Sequence, residues 1–236
     1  MCSISVSSLR QVLSSVIEAI MNTVPLPNKD TLRMDHLYHE VDLLLLNPDA
    51  VGHQHAYTVR DSDGNVCGQI VLPTRNSFVD IPPVRTNGRW YNPRPLITLC
   101  PHDGHINTIT FIHEVCHLFS CGEYLQMENR IIHRSGMHEY FYSVSSSSLN
   151  EEHEVLCVMK RTGSTLINEI LTDLATIKIL LSSMDQPPSL PEHRIHRVNN
   201  LLCRAEVQHM TCDDLIYWYF KDDAIAKESL CSILTE

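Results

Sequence analysis

Residues Thr108 to Cys121, TITFIHEVCHLFSC, set a polar stripe into an otherwise apolar helical pattern. Ile109, Phe111, Ile112, Val115, Cys116, Leu118 and Phe119 recur at the three- and four-residue spacings of a 3.6 period. Asn107 stands where an N-cap is needed and Gly122 where a helix stops. The residues left over, Thr110, His113, Glu114, His117 and Ser120, gather on one face. Positions i and i+4 lie one above the other on a helix, so His113 and His117 aim both imidazoles at one point, which suits a zinc ion. A buried helix must give such a stripe partners, because unpaired buried polar groups are costly.

His-Glu-x-x-His arises by chance in about one chain in twenty of this length and composition, so a second segment has to bear on it. Ser164 to Leu181, STLINEILTDLATIKILL, is another apolar helical pattern, with Leu166, Ile167, Ile170, Leu171, Leu174, Ala175 and Ile177 around most of its circumference. Its polar residues again form a stripe: Thr165, Glu169, Thr172, Asp173 and Thr176. Two acids at i and i+4 repel one another even on an exposed helix, and a cation opposite them reverses the sign. The two stripes therefore complement each other, with Glu169 on a metal and Asp173 behind it, on a histidine.

The pair His113-Glu114-Val-Cys-His117 and Asn168-Glu169-Ile-Leu-Thr172-Asp173 resembles the signatures of the gluzincin metallopeptidases, thermolysin among them. The resemblance covers these two helices, and the interval between them is markedly longer than in thermolysin. It implies that His113, His117 and Glu169 are zinc ligands, that Glu114 is the general base, and that Asp173 holds a ligand histidine, His113. It implies a zincin-like fold in which a sheet edge binds peptide substrate as an added strand. It also implies an oxyanion-stabilising Tyr or His, for which His209, Tyr217, Tyr219, Tyr140 and Tyr142 are candidates that spacing does not separate. Rival ligands exist. Glu123 stands six positions after His117, where metzincins place a third ligand, but it is not histidine and Ser120 replaces the glycine of that pattern. His133, His138 and His153 are looser alternatives. Glu169 is favoured because it sits in a polar stripe on an apolar helix with Asp173 beside it.

The expected fold is α+β: a small, mostly antiparallel sheet with the active-site helix in an N-terminal lobe, 1–121, and a mainly helical C-terminal lobe, 122–236. Residues 4–24 give an amphipathic helix that stops at Pro25, and a second helix is expected from Thr31 to Leu46, with His36, His39 and Glu40 on a solvated face. His55 to Arg60 and Val66 to Leu72 read as strands of a hairpin across Asp61-Ser-Asp-Gly64. A third strand, Pro95 to Cys100, is expected to lead directly into the metal helix. Residues 122–163, with the serine run Ser143 to Ser148, read as a mobile loop bordering the cleft. Thr211 with Asp214 reads as a capping-box start of a late helix.

A formal charge of −10 and a pI near 5.7 argue against nucleic acid or anionic membrane as partner. Nine cysteines without a repeated C-x-x-C spacing read as free thiols in a reducing, cytoplasmic compartment. No apolar run approaches the length of a membrane span, and residues 1–24 lack a secretory pattern. The function expected is zinc-dependent endopeptidase action on a protein substrate with narrow specificity, as a processing enzyme or as an effector delivered into another cell. The alternatives are a zincin-fold binding protein with a structural or vestigial metal, and a non-peptidase zinc hydrolase such as a deformylase. Cys100, in LITLCPHDG, does not match the cysteine setting a deformylase needs.

Overall fold

A computed structural model describes residues 3–26, 42–45, 55–60, 66–72, 78–79, 84–86, 89–91, 96–99, 105–127, 130–146, 154–185, 190–221 and 223–235. The architecture is α+β. Helix α1 (Leu9–Thr23) follows the short strand β1 (Ser3–Ser5) and buries Leu9, Leu13, Val16, Ile17, Ile20 and Met21 along one side. It ends where the Val24 N–H donates to Ile20 O at 2.9 Å, next to Pro25, which has no N–H to continue the ladder. Strand β9 (His105–Asn107) pairs antiparallel with β1 and runs straight into α2 (Thr108–Phe119), the helix of the His-Glu-x-x-His motif. Asn107 caps it, its Oδ1 accepting from the Ile109 and Thr110 N–H groups at 2.9 and 3.2 Å.

The second motif helix, α3 (Thr165–Ser183), is the axis of the molecule. Its cap is Ser164, whose hydroxyl accepts from the Ile167 N–H. It packs against α1 and α2 and against two of the three helices that follow, α4 (Glu192–Val207) and α5 (Cys212–Phe220). The last helix, α6 (Ala224–Thr235), packs on α4 and α5. One apolar cluster runs through the six helices found among the described residues, from Ile4 to Leu234, and takes residues from both sides of the 121/122 division. Burying each Leu or Ile of that cluster contributes about 1.5–3 kcal/mol. The capping box at Thr211 is formed as the sequence implies: Thr211 Oγ1 accepts from the Asp214 N–H, and the Asp214 carboxylate accepts from the Thr211 N–H.

The hairpin β3 (His55–Arg60) with β4 (Val66–Leu72) has the expected bounds. Three expectations are corrected. Asp42–Leu45 is not the end of a helix but a strand, β2, paired parallel with β8 (Leu96–Leu99); a short unbroken leucine run reads equally well as strand or helix, and here pairing decides it. The remainder of that expected helix, with His36, His39 and Glu40, lies outside the described residues. The strand β8 does not lead directly into the motif helix, since β9 intervenes.

The third correction is the largest. Residues 122–163, read as a mobile loop, belong mainly to four antiparallel strands: β10 (Cys121–Met127), β11 (Arg130–Ser135), β12 (His138–Ser146) and β13 (Glu154–Thr162). Most of the serine run lies in β12, where Ser143, Ser145 and Ser146 pair with Cys157, Val155 and Glu154. The strand-forming Ile, Tyr, Phe and Val residues around them outweigh the serines once two partner strands are available. Val155 of β13 pairs with Val84 of β6 (Val84–Thr86), and β7 (Arg89–Tyr91) completes a six-stranded sheet in the order β10-β11-β12-β13-β6-β7. Strand β5 (Phe78–Val79) adds to β8, and both pack on α2. No helix among the described residues is long and apolar enough to cross a membrane.

Candidate metal centre

Helices α2 and α3 bring His113, His117 and Glu169 together. His113 Nε2 lies 3.1 Å from His117 Nε2 and 3.1 Å from Glu169 Oε2, and His117 Nε2 lies 3.5 Å from Glu169 Oε1. Tetrahedral coordination with metal–ligand bonds of about 2.0–2.1 Å separates ligand atoms by about 3.3 Å, so the three donors already stand at the spacing an ion requires. The residues form a group that could hold a metal ion. Two Nε2 atoms at 3.1 Å are within hydrogen-bond distance when one of them carries a hydrogen and the other offers its lone pair. The two imidazoles stand edge to face, at 83°.

Each histidine is braced from behind, and this fixes which nitrogen faces the centre. His113 Nδ1 is 2.9 Å from Asp173 Oδ1, so Nδ1–H donates to the carboxylate and Nε2 keeps its lone pair for the centre. Arg194, from α4, holds the same carboxylate with two hydrogen bonds, Nε to Oδ2 at 2.9 Å and Nη2 to Oδ1. Its Nη2 also approaches His113 Nδ1 at 2.9 Å, a contact between two N–H groups bridged by the carboxylate that both address. Behind His117, Nδ1 faces Tyr219 Oη at 3.3 Å and Thr172 Oγ1 at 3.4 Å. The Thr172 hydroxyl donates to Asn168 O at 2.8 Å, leaving its oxygen to accept from Tyr219 Oη at 2.7 Å.

The titration of the group follows from these partners. Burial works to lower the His113 pKa, but hydrogen bonds to Asp173 and Glu169 prevail and raise it to about 9. Burial works to raise the Glu169 and Asp173 carboxyls; the two histidines nonetheless hold Glu169 well below the usual carboxylate range, and Arg194 with His113 lowers Asp173 from its ordinary value. Glu114 behaves in the opposite way. It is buried, at 6% exposure, accepts no hydrogen bond among the described residues, and burial pushes its pKa up against the pull of His117 and His113. Cys116, inside the motif, faces Thr176 in the core and its thiol is pushed up to about 12 by burial, so it stays a neutral packing group.

Of the other residues named from the sequence, Tyr219 is fully buried, with its hydroxyl behind His117 and not on the open side of the centre. Tyr217 is exposed, and His209 occupies an exposed turn with φ of 58°. Tyr140 and Tyr142 lie in β12. Glu123 lies at a register shift of β10, and His133 lies in β11; their side chains are outside the described ones. His138 is buried, its Nδ1 faces Thr162 O at 3.3 Å, and it is not among the three clustered donors; His153 is outside the described residues.

Sequence reasoning missed Arg194 and the roles of Thr172 and Tyr219. The signal for Arg194 was its place in the apolar stripe Val198, Leu201, Ala205 of α4: an arginine on the buried face calls for a buried carboxylate. For Tyr219 it was the stripe Leu215, Ile216, Tyr219, Phe220, which buries a hydroxyl that must find a partner. Compared with known protein families, curated proteins and solved structures, the chain matches none of them.

Proposed function

We propose that this chain is a zinc-dependent endopeptidase of the gluzincin type, in which His113, His117 and Glu169 hold the metal and Glu114 is the general base. What supports the reading is the convergence of the three donor atoms within 4.8 Å of one another, together with a buried glutamate that the fold leaves without a hydrogen bond among the described residues. Two imidazoles and a carboxylate are a donor set of catalytic zinc sites, where the ion acidifies a water toward neutrality and polarises a carbonyl. Glu114, one residue after His113, would be the group to take the proton of such a water and to return it to the leaving amine. Asp173 and Arg194 hold His113 while charge redistributes at the centre, and Thr172 with Tyr219 hold His117. A structural metal site has no use for the Glu114 carboxylate and closes its fourth position with protein. The substrate is proposed to be a protein cleaved with narrow specificity, by a processing enzyme or a delivered effector in a reducing compartment.

The test is proteome-wide mapping of new N-termini after expression of wild type beside Glu114→Gln, with zinc content measured on both purified proteins. The expected result is about one zinc in each, and cleavage in the variant lower by about 10²- to 10⁴-fold, the usual value of general acid–base help. Equal cleavage by the two proteins would exclude this chemistry, and absence of zinc from wild type would exclude the site.

A further inference from the structure

The hydroxyl of Tyr219 reaches the centre from α5, which contributes no ligand. Tyr219 is fully buried, and its hydroxyl meets Thr172, Ser120 and His117; Thr172 and Ser120 each give their own hydrogen to a backbone carbonyl, so both offer an oxygen to the Tyr219 O–H. Thr172 Oγ1–H is committed to Asn168 O at 2.8 Å, so the Thr172 oxygen accepts from Tyr219 Oη at 2.7 Å. The Tyr219 oxygen then has lone pairs free for His117 Nδ1–H at 3.3 Å. Both hydroxyl oxygens are therefore acceptors toward the back of His117, which leaves its Nε2 unprotonated on the side of His113 and Glu169. A tyrosine ring packed edge-on against Phe220, at 4.9 Å between centroids, gives this acceptor little freedom to move. Its phenol stays neutral, since burial pushes its pKa further up from the ordinary value.

We infer that Tyr219, acting with Thr172, is a positioning residue for His117, so that the affinity of the centre for a divalent ion depends on the docking of α5. The inference rests on the metal-site reading above. It assigns the ligands His113 and His117 two different supports. His113 leans on a charged pair, Asp173 with Arg194, and His117 on two neutral hydroxyls. Loss of an outer partner of a ligand histidine typically costs 10- to 100-fold in affinity or activity.

Tyr219→Phe removes one oxygen and keeps the ring, so packing on Phe220 is preserved. Zinc affinity is measured by competition with a chromogenic chelator, and the cobalt-substituted proteins are compared by their visible d–d absorption. Tyr219→Phe is expected to bind zinc about 10-fold more weakly than wild type or worse, with a shifted cobalt spectrum. Thr172→Ser, which keeps the hydroxyl, is expected to retain wild-type affinity, and Thr172→Val to lose it by a similar factor. If Tyr219→Phe does not fold, the Thr172 pair decides: equal affinity in Thr172→Val and Thr172→Ser overturns the inference. Wild-type affinity and an unshifted cobalt spectrum in Tyr219→Phe overturn it as well. A wild-type protein that binds no zinc would instead overturn the metal-site reading itself, and the inference with it.

Discussion

At the scale of single residues, the proposed metal centre sets protons against a metal at His113. Its pKa of about 9 lies above the unfolded value of 6.5, so its extra proton stabilises the metal-free fold fully below pH 6.5, and that contribution is lost as pH rises through 9. A bound metal needs the same nitrogen without its proton. Zinc affinity is therefore expected to climb about tenfold per pH unit below about 9, with about one proton released per ion at neutral pH. Titration calorimetry in buffers of different ionisation enthalpy measures that proton directly, and a buffer-independent heat would contradict it. Glu114 carries the opposite burden. Its folded pKa is raised, so its ionised form costs stability once pH exceeds the unfolded value, and Glu114→Gln is expected to raise the melting temperature of the metal-free protein at pH 7. A lower melting temperature for that variant would mean that the carboxylate serves the fold after all. His113, Glu114 and His117 were legible in the sequence because their relation is local, set by the pitch of one helix. Arg194 was not, because its partner Asp173 belongs to another helix, and only the packing of α4 on α3 brings the two together.

At the scale of elements, legibility followed turn chemistry. Strands β3 and β4 were readable to the residue because the sequence pair Asp63-Gly64, a hairpin signal, stands between two β-branched runs. The hairpin of β11 and β12 has its own turn at Gly136-Met137, hidden among polar residues and then a serine run that imitates a loop. Gly136 has φ of +53°, and a side chain there would collide with Asn168 Oδ1 and the Tyr219 ring. The neighbouring Met137 N–H donates to Asn168 Oδ1 at 2.8 Å, so this turn docks the sheet on the first turn of α3, one residue before Glu169. Gly136→Ala is expected to cost about 1–3 kcal/mol for the backbone conformation alone, and more for the collision, read as a lower urea midpoint. Gly136→Asn separates the two causes: asparagine tolerates positive φ but brings the same Cβ, so it should be no better than alanine. A wild-type midpoint in Gly136→Asn would show that the close approach to Asn168 and Tyr219 is not needed.

At the scale of the whole molecule, the axis is α3, and the consequences reach both halves of the sequence. Its buried face meets α1 and α2 from the first half and α4 and α5 from the second, and Leu171 and Ala175 in its middle are fully buried. That α3 would be central was foreshadowed by its apolar circumference; that a six-stranded sheet would join residues before and after α2 in the chain was not, because strand order depends on pairing between distant segments. The chain's two tryptophans sit one in each part: Trp90 in β7 of the sheet and Trp218 in α5. The sheet reaches α3 twice, through β13, which precedes it in the chain, and through Met137 on Asn168, so sheet and helices are expected to unfold together. Single-tryptophan variants, Trp90→Phe and Trp218→Phe, should give the same urea midpoint by fluorescence, and Leu171→Ala should lower both alike, by about 2–5 kcal/mol of stability. Zinc at about a thousand times its dissociation constant should raise both together by about 4 kcal/mol, because the residues proposed to hold it lie on α2 and α3 at the centre of this shared core. A zinc response confined to Trp218 would show instead that the helices and the sheet are separate folding units, with the centre belonging to the helices alone.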